Sequence, residues 1–255
     1  MTSSTEIYKK TLALLSGLVI SQTLFAGTMG AVVAVPAYSF ITTLALGPAW
    51  VDENNSRTIF LAPEIVKTYR AGNSSNSLVN GELFFGIGKQ LRENISGQLG
   101  LALAGSTSAK MAGVIWDDAA PIFNNYAYNY RVTHAHVAVE GKLLANNSNF
   151  FVTPWIGASA GVGFNRAYDF GNTPLIFEAV RNPNFTDHST TAFTYTVSAG
   201  VQRNISNNCQ IGIGYQFADW GKSQLGPAFD QVFDGGVKLD HLYTNGVMFN
   251  ITYIS

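Results

Sequence analysis

Beyond Tyr38, hydrophobic side chains recur at every second position over most of the chain. Near the C-terminus, for example, Val247, Phe249, Ile251 and Tyr253 alternate with small or polar residues. A period of two places neighbouring side chains on opposite faces of an extended strand, whereas an amphipathic helix requires a period near 3.6. The pattern therefore predicts strands with two unlike faces.

The alternation divides into eight segments, which predicts eight strands. Short polar turns at 92–96, 145–149 and 206–208 alternate with long links. Tight turns on one side and extended loops on the other are typical of a transmembrane β-barrel, and an even number of strands returns both termini to the periplasmic side. The predicted strands are 40–50, 79–91, 98–115, 126–143, 150–164, 193–202, 210–217 and 243–253, and the predicted loops are about 51–78, 116–125, 166–190 and 219–241.

The two faces of these strands suit a membrane better than water. One face carries Leu, Val, Ile, Phe and Tyr, and the other carries mainly Gly, Ala, Ser, Thr and Gln; in the third segment the apolar face includes Leu99, Leu101, Leu103, Met111 and Ile115. Only 12% of the residues are charged, against about 25% in a soluble domain. Small residues fit the interior of an eight-stranded barrel, and a sheet in lipid must close on itself. The predicted fold is therefore all-β, an eight-stranded antiparallel transmembrane up-and-down β-barrel with its apolar face outward.

The N-terminus has the layout of an export signal. Lys9 and Lys10 precede an apolar stretch over 11–26, and small residues follow it. This order predicts a secretory signal peptide over 1–26, an N-terminal periplasmic segment over 27–38 and a barrel domain over 39–255. The alternative is an uncleaved membrane anchor over 11–35.

Charge and cysteine content exclude several functions. The formal net charge is −1, which gives no reason to expect a nucleic-acid partner. The single cysteine, Cys209, excludes an intramolecular disulfide framework and a cysteine-based metal cluster. We expect neither a cofactor nor a metal.

Polar side chains on the inward face are predicted to form a lumen network. His134 and His136 share a strand face with Glu140 and Lys142, and two imidazoles at this spacing also suit a metal or acid–base catalysis. A zinc site needs three or four ligands, so mutual hydrogen bonding inside a filled lumen is preferred, with Glu140 and Lys142 as an ion pair. The predicted network is Glu82, Gln90, Gln98, His134, His136, Glu140, Lys142, Gln202 and Gln216.

Two further sets of residues are predicted at the surface. Aromatic residues near the strand ends are expected to form the two interfacial girdles of a membrane barrel; they are Trp50, Tyr126, Tyr128, Phe150, Phe217, Trp220 and Tyr253. Unusually apolar stretches in two loops are interpreted either as a contact patch or as a lid that packs over the barrel mouth. The patch comprises Phe60, Leu61, Ile65, Leu175, Ile176 and Phe177.

The sequence gives little support for catalysis. Asp187, His188 and Ser189 are consecutive in a predicted loop, but adjacent residues rarely adopt triad geometry. We therefore expect that the chain is not an enzyme, with a lipid-modifying barrel enzyme as the least favoured alternative.

Residues 39–255 resemble the small outer-membrane β-barrels of Gram-negative bacteria, a group that includes opacity-type surface antigens and the transmembrane domain of outer membrane protein A. The resemblance rests on the eight segments, on GELFFGIG (81–88) and TAFTYTVSAG (191–200), and on the closing strand at 243–254. The chain ends in Ser255 where the family usually has an aromatic residue. The resemblance implies an outer-membrane location with extracellular loops and periplasmic termini, insertion by the barrel-assembly machinery, and contact with outer-membrane lipids and lipopolysaccharide.

The expected function is that of a structural or surface-interaction protein, adhesin-like, which meets a host-surface ligand through its loops and has a largely plugged polar lumen. The alternative function is a narrow pore or small-solute channel.

Overall fold

The computed structural model describes residues 38–52, 56–72, 77–146, 151–180, 182–229, 231 and 234–255. The predicted signal peptide, the segment at 27–37 and Phe150 lie outside these residues. The strands are β1 (Ser39–Asp52), β2 (Ser56–Ala62), β3 (Ile65–Ala71), β4 (Ser77–Arg92), β5 (Ile95–Ser106), β6 (Ala109–Asp117), β7 (Asn124–Ala145), β8 (Thr153–Pro174), β9 (His188–Asn204), β10 (Cys209–Asp219), β11 (Ser223–Gln224), β12 (Lys238–Leu239) and β13 (Tyr243–Ile254). The described residues contain no α-helix and a single 3-10 turn, Pro121–Phe123.

Eight of these strands form a ring in which each pairs with two neighbours. The order is β1, β4, β5, β7, β8, β9, β10 and β13, and β13 pairs again with β1. Every pairing is antiparallel. The predicted all-β, eight-stranded antiparallel fold is confirmed, and the ring leaves none of its backbone edges unpaired along the shared segments.

The wall of the ring near the short turns is apolar outside and polar inside. On β7, Val137, Val139 and Leu143 are exposed, whereas Glu140 and Lys142 are buried in the lumen. We call this part of the wall the membrane band; it covers residues 135–145 of β7 and 154–164 of β8. A membrane-spanning strand needs about 9–11 residues, so these segments are long enough to cross the hydrocarbon.

Above the membrane band the same sheet continues into a region that we call the crown. It comprises β2, β3, β6, residues 124–132 of β7 and residues 165–174 of β8, and the strand order is β2, β3, β6, β7. The stretches at 51–78 and 166–190 were predicted as loops, and the structure shows that strands occupy much of both. These residues form strands because the paired strands of the barrel continue well beyond the membrane band.

The crown has an apolar core on its inner side. Tyr69, Tyr128, Phe170 and Phe185 pack ring against ring, with centroids 4.9 to 6.4 Å apart. Ile59 is buried beside them. The inner side of the crown is therefore built like the core of a soluble protein, although it continues the wall of a barrel whose inner side is polar.

An irregularity between β5 and β6 changes which residues face inward. The four steps from Gly105 to Ala109 oppose only three steps on β7, from Ala135 to Val132. One extra residue in a strand turns the side chains that follow to the other face. Met111 and Ile115 are fully buried as a result, and their predicted place on the outward face with Leu99, Leu101 and Leu103 is wrong.

Candidate functional site

The lumen of the membrane band holds most of the predicted polar residues. Gln216 Nε2 donates to Glu82 Oε2 at 3.2 Å, and Asn80 Nδ2 donates to Gln216 Oε1 at 3.1 Å. Glu140 lies close to Glu82, and Lys142 is beside both. Gln202 Nε2 donates to Gln210 Oε1 at 2.7 Å. These strands thus bring together a buried set of carboxylates, amides and one ammonium.

Trp155 fills much of the remaining space in the lumen. Its ring lies against Lys142 Nζ, which is 4.4 Å from the ring centroid. A Cβ atom at Gly200 or Gly214 would come within 2.7 or 2.6 Å of Trp155 Cζ2. Glycine is therefore required at both positions for the indole to fit.

The cavity left beside Trp155 is small and polar. Its volume is about 20 Å³, and Glu82, Glu140 and Asn250 help to line it. Glu140 Oε2, Trp155 Nε1 and Asn250 Oδ1 are buried without a hydrogen-bond partner among the described residues, and so is Gln98 Oε1. About one water molecule fits such a volume, so the lumen is closed to a hydrated ion at this level.

A second polar cluster lies where the membrane band meets the crown. His134 Nδ1 is 2.7 Å from Asn165 Oδ1, and His134 Nε2 is 2.9 Å from His136 Nδ1. Asn165 Nδ2 donates to the carbonyl oxygens of Trp220 and Lys222, both at 2.7 Å. The Trp220 ring stacks on His134 with centroids 4.4 Å apart.

These contacts hold the long link after β10 inside the mouth of the barrel. We call its described residues, 220–229, 231 and 234–242, the plug. The plug carries the β11–β12 pairing, and its Leu225, Leu239 and Leu242 join the core of the crown. The plug therefore closes the lumen from the crown side.

Four of the predicted site residues are not where the sequence analysis placed them. Gln90 is exposed, and its Nε2 donates to the carbonyl oxygens of Arg92 and Glu93, so it caps a turn and does not enter the lumen. Tyr126, Tyr128 and Trp220 are buried, so their assignment to the lipid-facing girdle is wrong. They point inward because the inner side of the crown and the plug bury aromatic residues.

The outer surface has its own row of aromatic side chains. Trp50 and Tyr253 are exposed, and Phe217 is half-buried on the outer face; their role as girdle residues stays a prediction. Tyr195, Phe217, Tyr243 and His241 lie ring beside ring with centroids 5.5 to 6.4 Å apart; the Phe217–Tyr243 and Tyr243–His241 pairs are stacked, and the Tyr195–Phe217 pair is tilted. Sequence reasoning missed Tyr195 and Tyr243 as members of this row, although the alternation had placed both on the outward face.

A partly buried ion pair joins β3 to β6 in the crown. Lys67 Nζ donates to Asp117 Oδ1, and Asn125 Nδ2 donates to Asp117 Oδ2 at 2.7 Å. Nearby, burial of the Tyr69 hydroxyl raises its pKa, and Tyr128 and Asp117 raise it further. The crown therefore contains a polar interaction between β3 and β6 beside its apolar core.

The predicted apolar loop patch is largely exposed and is part of a larger surface. Ile65, Leu175, Ile176 and Phe60 are exposed, Leu61 packs against the crown core, and Phe177 is 100% exposed. Ile122 and Val180, which sequence reasoning missed, are 84% and 81% exposed. We call Ile122, Phe123, Leu175, Ile176, Phe177 and Val180 the crest.

Two hydrogen bonds bring the two segments of the crest together. The Leu175 amide donates to the Asn125 carbonyl at 2.7 Å, and the Tyr126 hydroxyl donates to the Val180 carbonyl at 3.1 Å. The crest thus lies at the end of the crown with its two segments joined at Leu175 and Val180, and these side chains do not form a lid over the mouth, which the plug fills.

The structure does not assemble the triplet of acid, imidazole and hydroxyl. Asp187 accepts hydrogen bonds from Arg166 and from the Asp169 amide, while His188 Nδ1 contacts Thr190 Oγ1 at 3.3 Å. In the described part of the chain, no group of three or more His, Cys, Asp or Glu side chains is arranged to hold a metal ion.

The ring of eight strands and its apolar exterior define the class: an eight-stranded antiparallel transmembrane β-barrel. No described helix is long and apolar enough to span a membrane. No protein-family model matches the chain, and a comparison with curated proteins also gives no match.

Several solved outer-membrane proteins are similar in architecture. Neisserial surface protein A is 10% identical over 84% of this chain and 96% of its own, with a TM-score of 0.40. The outer membrane protease OmpT from Escherichia coli is 8% identical over 85% and 97%, with a TM-score of 0.45. The attachment invasion locus protein Ail of Yersinia pestis is 12% identical over 84% and 98%, with a TM-score of 0.33. Because these values are low, the fold assignment depends on the strand pairing of this chain itself.

Proposed function

We propose that this chain is a surface-interaction protein of a bacterial outer membrane, which contacts its partner through the crest and keeps its lumen closed with the plug. The crest is the observation that carries the proposal. Phe177, Ile122 and Val180 are each at least 81% exposed, and exposed apolar side chains grouped on a water-facing region mark an interaction site.

The rest of the molecule supports this role by the way it holds the crest. The crown presents the crest on paired strands above a packed core. Preorganised surfaces lose less conformational entropy on binding than mobile loops do. A host-surface protein or a neighbouring barrel is the proposed partner, and the crown lies on the extracellular side with the short turns and both termini in the periplasm.

The location is tested on membrane fractions of cells that produce the full chain. A folded barrel is expected to sediment with the outer membrane and to migrate differently before and after boiling in detergent. A freely soluble chain that needs no detergent would contradict both the location and the role.

The contact role is tested by adhesion of bacteria that display the protein to cultured epithelial cells. We expect Phe177→Ser combined with Ile122→Ser to reduce adhesion at least severalfold at equal surface display. Phe229→Ser is the matched control, because Phe229 is 80% exposed but lies in the plug and outside the crest. Unchanged adhesion of the double variant, or an equal loss in the control, would contradict the proposal.

A narrow channel is the second candidate, and the unpaired polar atoms in the lumen favour it. Glu140 Oε2 and Asn250 Oδ1 are available to a water molecule. Two barriers close the lumen, the plug at the mouth and the Trp155 ring beside the small cavity. We expect no steady current in planar bilayers from the wild-type protein or from Trp220→Ala, which opens only the mouth, and a measurable current from Trp220→Ala combined with Trp155→Ala. Large steady wild-type currents would favour the channel.

A further inference from the structure

Three cationic side chains face outward just beyond the membrane band. Lys110 on β6 and Arg131 on β7 are direct cross-strand partners. Arg131 in turn pairs with Tyr168 on β8, and the Arg166 guanidinium lies 5.3 Å from the centroid of the Tyr168 ring. Lys110, Arg131 and Arg166 are all exposed, so three neighbouring strands present positive charge on one patch.

The height of this patch is fixed by strand register. Ala135 pairs with Phe164 at the upper end of the membrane band, and Thr133 pairs with Arg166 one outward position higher. Arg131 is the next outward residue on β7. The patch therefore begins where the apolar exterior stops, at the level that lipid headgroups occupy around a membrane barrel.

The protein itself neutralises this charge only in part. Arg131 Nε is 3.5 Å from Asp169 Oδ2, and Arg166 Nη2 is 3.1 Å from Asp187 Oδ2, but exposed ion pairs are weak. Lys110 has no ion-pair partner among the described residues. Like charges directly opposite each other destabilise a sheet, so a second anion beside Lys110 would relieve the repulsion that the exposed Asp169 carboxylate leaves.

We propose that Lys110, Arg131 and Arg166 bind the phosphate groups of lipid headgroups in the outer leaflet. A guanidinium binds phosphate through two parallel hydrogen bonds, and a lysine ammonium adds a compact charge. The Tyr168 ring under Arg166 holds that guanidinium near the bilayer edge. This site depends on the membrane placement of the barrel and not on the crest.

The test uses the full folded chain in neutral detergent, titrated with diphosphoryl lipid A, with bound lipid counted by native mass spectrometry. We expect Lys110→Gln with Arg131→Gln to weaken binding about thirtyfold, given the contribution of each cation near a lipid surface. Lys89→Gln with Arg203→Gln, two exposed cations at the opposite rim, is the matched control and is expected to bind like the wild type. A heat-modifiability gel verifies that each variant is folded.

Three results would overturn the site: no binding by the wild type, equal weakening in the two double variants, or equal binding of lipid A from which both phosphates have been removed. Inorganic phosphate is titrated separately. Binding of free phosphate with the affinity and variant dependence of the lipid would overturn the lipid headgroup as its source. Weak or absent binding of free phosphate supports the proposal.

Discussion

The membrane band and the crown share strands but place opposite chemistry on their two faces. Along β7, Val137 and Val139 point outward in the band, whereas Asn129 and Arg131 point outward in the crown. On the inner side the order reverses, from Glu140 and Lys142 below to Tyr128 and Val132 above. The alternation of side chains never changes along this strand. What changes is the solvent, because hydrocarbon favours apolar surfaces where water favours polar ones.

The strongest test of this contrast removes an aromatic ring from the crown core. Phe170→Ala deletes a buried ring that contacts Tyr69, Tyr128 and Phe185, and we expect it to cost the crown about 3–5 kcal/mol. Hydrogen exchange of crown amides measures the loss. The heat-modifiability of the barrel should not change.

Phe177→Ala is the control, because that ring is fully exposed and its removal should leave crown exchange unchanged. Protection equal to that of the wild type in Phe170→Ala would show that the crown has no core of its own.

The next effect comes from an outward charge placed at two heights. Val139→Arg puts a cation against hydrocarbon and is expected to destabilise the barrel by about 2–4 kcal/mol. Asn129→Arg puts the same cation on the outer face of the crown, where surface substitutions stay within about 0.5 kcal/mol. Urea unfolding in lipid vesicles gives both values. Equal losses of stability in the two variants would mean that Val139 and Asn129 face the same solvent, which would contradict the difference between the membrane band and the crown.

Asn165 lies at the junction of the two regions and gives a smaller effect. Asn165→Ala leaves the Trp220 and Lys222 carbonyls and His134 Nδ1 without this partner, at an expected cost of about 1–3 kcal/mol. Limited proteolysis within the plug should become faster while the ring of strands stays intact. A cleavage rate equal to that of the wild type would mean that the plug is held elsewhere.

The smallest effect is alkaline destabilisation of the crown. The pKa of Tyr69 is raised in the folded state above the value of about 10 of an unfolded tyrosine. Its contribution to stability is therefore complete below about pH 10 and is lost as the pH rises through the folded pKa. Tyr69→Phe should show a shallower loss of crown stability above about pH 10 than the wild type. Parallel pH profiles in the two proteins would contradict this assignment.

The sequence predicted the membrane band well because its signal is local. Alternation placed Leu101, Val197 and Phe249 outward, and all three are exposed. The crown was harder to predict. The even positions of Tyr126 and Tyr128 place them on the inner face with Glu140 and Lys142, but nothing local in the sequence shows that this face changes from polar to aromatic above the membrane band. Period alone does not identify the solvent on either side of a strand.

Other features depend on residues far apart in the chain. Trp220 was assigned to the girdle because it follows an outward strand, but its stacking on His134 and its bond to Asn165 involve strands β7 and β8. Met111 was misplaced by a single extra residue between β5 and β6. No short-range pattern in 98–115 marks that residue, so register had to come from the pairing with β7.

That extra residue between Gly105 and Ala109 sets a boundary as well as a register. On β5, before this residue, the odd-numbered side chains face lipid. On β6, after it, the odd-numbered side chains are buried or half-buried. Deleting one residue there would turn Met111 and Ile115 to the exterior and bring Lys110 inside. The apolar outer surface would then extend further along this strand. The length of this one connection therefore sets the height at which the outer surface of the strand changes from apolar to polar.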